Sequence, residues 1–166
     1  MPRSLMTISA LAISLAVPIQ AQQISPLPNS GTFKLHSAWK GIGETIKVGD
    51  NHLFGAGTFW GLAYNDTGSG PLHMGPVVCP YTLETINGAG TAQGVCAWSD
   101  AEGDKIFNTY SGKISPSGAF DGVNNITGGT GKFTGIQGQA PFQCRFLNDQ
   151  SQATCTQQFE YQLGNK

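Results

Sequence analysis

The residues of this sequence that could do chemistry are four cysteines, three histidines, a run of alternating acids and a glycine-rich stretch ending in lysine. Cys79, Cys96, Cys144 and Cys155 contain no C-x-x-C pair, and His36, His52 and His73 lie far from them, so a metal site is not expected. Two disulfides are the better reading, and sequence alone allows three connectivities. Asp100, Glu102 and Asp104 have the odd-position spacing of a calcium loop. The sixth position, which needs glycine, holds Lys105, so a hairpin turn accounts for the acids better. GGTGKF (Gly128–Phe133) imitates a phosphate loop, yet Ile126 and Phe133 stand where glycine and Ser or Thr are required; a structural strand is expected instead. No G-x-S-x-G elbow is present, and the histidines fall in separate segments, so a hydrolase triad is not expected. Glu44, Glu84 or Glu160 could supply a buried carboxylate, although Glu160 falls on the polar face of its strand. Arg145 could hold a ligand carboxylate, but the alternation around it favours the surface. Trp39, Trp60, Tyr64 and Trp98 are the best candidates to line an apolar ligand cavity, with core packing as the competing role.

These residues must be positioned by strands. Phe33–Lys40 alternates, Gly41–Gly43 reads as a turn, and Glu44–Val48 as a second short strand. In His52–Asn65, Phe54, Thr58, Trp60, Leu62 and Tyr64 share one face, while Gly55, Gly57, Gly61 and Ala63 leave the other nearly bare. That imbalance fits barrel curvature or close backbone approach. Asn87-Gly88 is a strong hairpin signal. Counting outward from Ile86 and Ala89 sets Cys79 opposite Cys96 on a non-hydrogen-bonded pair, where side chains are closest. Pro80 would then sit at a hydrogen-bonding position, which calls for a bulge or a sheet edge. Strands over 105–114, 119–126, 142–147 and 153–163 follow, and the last hairpin sets Cys144 opposite Cys155. The glycines of Asn124–Gly138 suggest a strand that bends hard. No helical periodicity of useful length exists, so the chain reads as a sandwich or barrel, and its glycines favour the barrel.

Arg3, the apolar run Leu5–Val17 and the approach to Ala21 form a secretory signal peptide over residues 1–21. An extended leader (22–31) and one β domain (32–166) remain. The processed chain would carry eight cations against ten carboxylates, a net charge of −2, with no basic cluster for nucleic acid and no later membrane span. The expected destination is the periplasm or the exterior.

Gly94-Val-Cys-Ala-Trp-Ser-Asp100, then Gly103-Asp104-Lys-Ile-Phe107, then Ile126-Thr-Gly-Gly-Thr-Gly-Lys-Phe-Thr-Gly135 resembles the pattern of the allene oxide cyclase and dirigent barrel superfamily, including exported bacterial relatives. The similarity covers roughly Leu83–Gly138. The resemblance implies an eight-stranded antiparallel β-barrel with an apolar cavity, often a homodimer or homotrimer, that takes a hydrophobic small molecule without a cofactor. With the disulfides above, the expected fold is all-β, an eight-stranded antiparallel β-barrel with two hairpin disulfides. Its expected role is to bind a small apolar ligand or act as an interaction module. The alternative is a cofactor-free cyclase or isomerase, or a dirigent-like protein that orients radicals.

Overall fold

The structure is a computed structural model that describes residues 27–147 and 151–164. The expected signal segment, residues 22–26 of the leader and the tip of the last hairpin lie outside them. Eight strands form a closed barrel: β1 (Ser30–Gly49), β2 (His52–Asn65), β3 (Gly75–Ile86), β4 (Ala89–Ser99), β5 (Lys105–Ile114), β6 (Ala119–Gly129), β7 (Ile136–Phe146) and β8 (Gln152–Leu163). Each strand pairs antiparallel with the next, and β1 closes the ring against β8. Closure removes the sheet edges over most of the height. Above Lys40, which pairs with Gln152, β1 continues beside β2 alone.

The glycines explain how a small barrel is filled. Trp39 lies opposite Gly61, Phe59 opposite Gly41, Tyr110 opposite Gly94 and Phe142 opposite Gly122. A methyl group on Gly61 would come within 2.6 Å of the Trp39 ring, and one on Gly122 within 2.6 Å of Phe142. Each ring lies across the bare backbone of its neighbour, so the glycine face of β2 is the inner one, shared with Phe59, while Phe54, Trp60, Leu62 and Tyr64 point outward.

Several local expectations change. Gly41–Gly43 does not turn; β1 runs through it as one strand of 20 residues, because the ring of Phe59 packs on Gly41 and keeps the ladder continuous. Pro80 needs neither bulge nor edge. β3 is interior, and its ladder with β4 resumes in the same register on both sides of the Cys79–Cys96 pair, between Val78–Ala97 and Tyr81–Gly94. Asn124–Gly138 is not one bent strand. It is the end of β6, a 3-10 turn at Gly131–Phe133 and the start of β7. Asn87 (φ 53°) and Gly88 (φ 76°) both adopt the left-handed conformation of the hairpin turn their sequence predicts.

The connections divide into two ends. At the upper end β1–β2, β3–β4 and β5–β6 are joined by short turns, and the β7–β8 hairpin closes at the same end. At the lower end the 66–74 connection sends in Leu72, which is fully buried in spite of a positive φ of 58°, and the 3-10 turn sends in Phe133, also fully buried. Fully buried Trp98, Phe159, Leu35, Ile106 and Ile136 complete the core.

Candidate functional site

Both disulfides face the lumen. Cys79–Cys96 joins β3 to β4 with Cα atoms 4.2 Å apart, and Cys144–Cys155 joins β7 to β8 at 4.0 Å. Together with Trp39, Phe59, Trp98, Tyr110, Phe120, Phe142 and Phe146 they line an apolar cavity of about 60 Å³ in the upper half of the barrel. Phe59 and Phe146 stand 6.1 Å apart at its rim, both only partly buried.

Its floor is polar. The Trp98 indole N–H donates to Asn108 Oδ1 (2.5 Å), Asn108 Nδ2 to Asn124 Oδ1 (2.8 Å), and Asn124 Nδ2 to the Ala140 carbonyl (3.1 Å). On the other side of the ring, Gln157 Nε2 and the Trp39 indole N–H both donate to Ser37 Oγ at 2.8 Å. The two chains run through β4–β7 and through β8 and β1, a belt across six of the eight strands. Asn124 and Gln157 are the members that reach the cavity. Buried polar groups of this kind are costly unless satisfied, and the belt satisfies its donors strand by strand.

Among the described residues the lining contains no carboxylate, imidazole or ammonium group. Its one free ionisable side chain is Tyr110, whose phenol is pushed far above its ordinary value by burial and then by neighbouring Tyr81. Tyr81 itself is raised by burial. Both phenols are therefore neutral at physiological pH, so the described lining offers apolar surface together with uncharged hydrogen-bonding groups.

Of the residues singled out from sequence, Trp39 and Trp98 line the cavity, with ring centroids 5.7 Å apart and perpendicular. Trp60 and Tyr64 do not. They lie on the outer face of β2, because the inner face of that strand is the glycine one. Tyr64 stacks on His36, which meets Asp66 at 2.8 Å, and meets His73 edge-on. Glu44 and Glu160 are exposed, and exposed Glu84 accepts from His52 Nε2 at 2.7 Å, so none of the three puts a carboxylate in the lumen. Arg145 faces outward and makes no ion pair among the described residues. A broader, shallow depression of about 510 Å³ surrounds it on the outer wall, floored by Thr154 and Thr156.

The acidic turn is a hairpin connection. Asp100 Oδ1 accepts from the backbone N–H groups of Glu102 and Asp104 (3.0 and 2.9 Å). Lys132 occupies the place a cation would take, with Nζ 2.5 Å from Asp100 Oδ2 and in contact with Glu102. Among the described residues no cluster of His, Cys, Asp or Glu could hold a metal ion.

Sequence reasoning missed the belt. Ser37, Asn108, Asn124 and Gln157 each sit at inward positions of alternating strands, and that parity was the available signal. Comparison with known protein families and with curated proteins finds no match to this chain.

Proposed function

We propose that this barrel is an exported binding protein for a small, flat apolar molecule carrying a hydrogen-bond donor. The observation that carries this reading is the upper cavity: aromatic and disulfide walls over a floor where the side-chain carbonyls of Asn124 and Gln157 can accept. At about 60 Å³ it is well below the several hundred Å³ of a typical ligand site, so binding requires Phe59 and Phe146 to rotate away from the rim. Among the described residues the one ionisable group of the lining is the neutral Tyr110 phenol, which supports binding over the cyclase or isomerase alternative. Two disulfides support an oxidising destination, periplasm or exterior. The eight-stranded closure fits the resemblance to the allene oxide cyclase and dirigent barrels, and supports reading the chain as a divergent relative of them.

Native mass spectrometry of the protein isolated from its own host tests the proposal. A stoichiometric adduct of a lipid or phenolic, lost when Gln157→Leu and Asn124→Leu remove the acceptors, is the expected result. A bare polypeptide mass, with no saturable binding of naphthol or short fatty acids at millimolar concentration, contradicts it.

A further inference from the structure

On the outer wall two transverse rows cross β6, β7, β8 and β1 side by side. One reads Asp121, Gln143, Thr156, His36 and continues to Tyr64 on β2, each directly opposite the next. The other reads Ala119, Arg145, Thr154, Ala38. Arg145 is the one long side chain of this second row. The short residues beside it leave the depression of about 510 Å³. The rings of His36 and Tyr64, stacked with centroids 5.4 Å apart, border it on the β1–β2 side, and Asp66 holds the His36 ring at 2.8 Å. The charges here are unequally answered. Asp121 lies directly opposite Lys113, and His36 meets Asp66. Arg145 lies opposite Ala119 and Thr154, and it makes no ion pair among the described residues.

We propose that this depression is a second ligand site, on the outside of the barrel, for a hydroxylated carboxylate: a uronic acid, free or as a residue of a polysaccharide. A guanidinium is a planar fork that matches a carboxylate through two parallel hydrogen bonds, and among the described residues no carboxylate of the protein takes it. One unanswered cation with Asp121 in the same depression suits a monoanion and disfavours a dianion such as a phosphate monoester. Asp121 accepts hydrogen bonds, and Gln143, Thr154 and Thr156 both donate and accept, which is what the hydroxyls of a sugar ring need. The His36–Tyr64 stack adds an apolar wall for the C–H face of such a ring. The span agrees. β7 and β1 are separated by β8 alone, so Arg145 and His36 stand on strands about 10 Å apart, room for one sugar ring. The barrel wall separates this site from the upper cavity, so it stands independently of the ligand proposed there.

A nuclear magnetic resonance titration of the folded protein tests the proposal, with galacturonate, trigalacturonate, methyl galactoside, acetate and inorganic phosphate as probes. Saturable shifts at Arg145, Thr154 and Thr156 are expected with galacturonate, at an affinity at least about tenfold above that for methyl galactoside, acetate or phosphate. A further gain of about tenfold for trigalacturonate identifies a polymer as the source, and equal affinity identifies the free acid. Arg145→Gln is expected to weaken galacturonate binding at least about tenfold. Arg145→Lys, which keeps the charge and loses the fork, is expected to weaken it at least about threefold, and Tyr64→Ala about fivefold. Saturating 2-naphthol, the probe of the upper cavity, is expected to change the galacturonate affinity less than about twofold. Acetate or phosphate bound as tightly as galacturonate overturns the proposal. So does Arg145→Gln without effect, or the absence of a saturable shift at about 20 mM galacturonate.

Discussion

At the lower end of the barrel the connections turn their side chains inward; at the upper end the β1–β2, β3–β4 and β5–β6 connections are short turns that stay out of the lumen. Below, the 66–74 connection, the acidic turn and the 3-10 turn bring in Leu72, Phe133 and the Asp100–Lys132–Glu102 ion pairs. Above, among the described residues, rings laid across glycines and the two disulfides separate the lumen from solvent. One set of eight strands thus carries a sealed end and an open one, and the difference follows from connection length. Long connections can fold back over the barrel, whereas a two-residue turn such as Asn87-Gly88 can only reverse the chain. The sealed end should hold most of the stability, and the open end most of the capacity to rearrange.

Predictions follow from that contrast in order of size. Phe133 is fully buried at the sealed end, so Phe133→Ala should cost about 4 kcal/mol in chemical denaturation, the range for emptying a core aromatic site. A cost below 1 kcal/mol would show that the lower plug is not part of the cooperative core. Replacing Cys144 and Cys155 together by serine should cost about 3 kcal/mol, the loop-closure value for a bridge of this span, and should also loosen the rim. The check is a denaturation curve beside hydrogen exchange at Phe146 and Ala153.

Lys132→Met should cost about 2 kcal/mol near pH 7, because the Asp100 side chain is 4% exposed and would lose its counter-charge. Burial pushes the Asp100 carboxyl up, but hydrogen bonding and the charge of Lys132 outweigh it and hold the group below its ordinary value. Its contribution is complete above the unfolded carboxylate's pKa of about 3.9 and fades as pH falls through the lower folded value. Burial pulls the Lys132 ammonium down, but Asp100 and Glu102 outweigh it and raise the group. That contribution is complete below about pH 10.4 and fades as pH rises through the higher folded value. The penalty of Lys132→Met should therefore shrink between pH 7 and pH 3 in thermal melts; a penalty constant over that interval would remove the ion pair from the account. The smallest effect belongs to the open end. Phe146 is partly exposed at the rim, and Phe146→Ala should cost under about 1.5 kcal/mol while enlarging the cavity, measured by xenon uptake.

Strand positions, the Asn87-Gly88 turn and both disulfide pairs were legible because each rests on local parity: alternate residues share a face, and a tight turn fixes which residues meet. The inner side of β2 was not legible in the same way. Trp60 and Tyr64 look like cavity walls until Trp39 and Tyr81 are known to fill the space over the glycines opposite, a fact that depends on neighbouring strands. The continuity of β1 through Gly41–Gly43 failed for the same reason. Lys132 could not be linked to Asp100 from the sequence, since the two lie on different connections that only closure of the barrel brings together. The belt of Ser37, Asn108, Asn124 and Gln157 was hidden because polar residues at inward positions resemble surface ones until the register of six strands is fixed.

The most direct test of an open aromatic mouth over a sealed base is a nuclear magnetic resonance titration of the folded protein with 2-naphthol. Saturable shifts of Phe59, Phe142, Phe146 and the Trp39 indole N–H, with Phe133 and Leu72 unmoved, are the result the two-ended barrel predicts. Shifts confined to the outer wall around Trp60, or equal shifts at both ends, would contradict it.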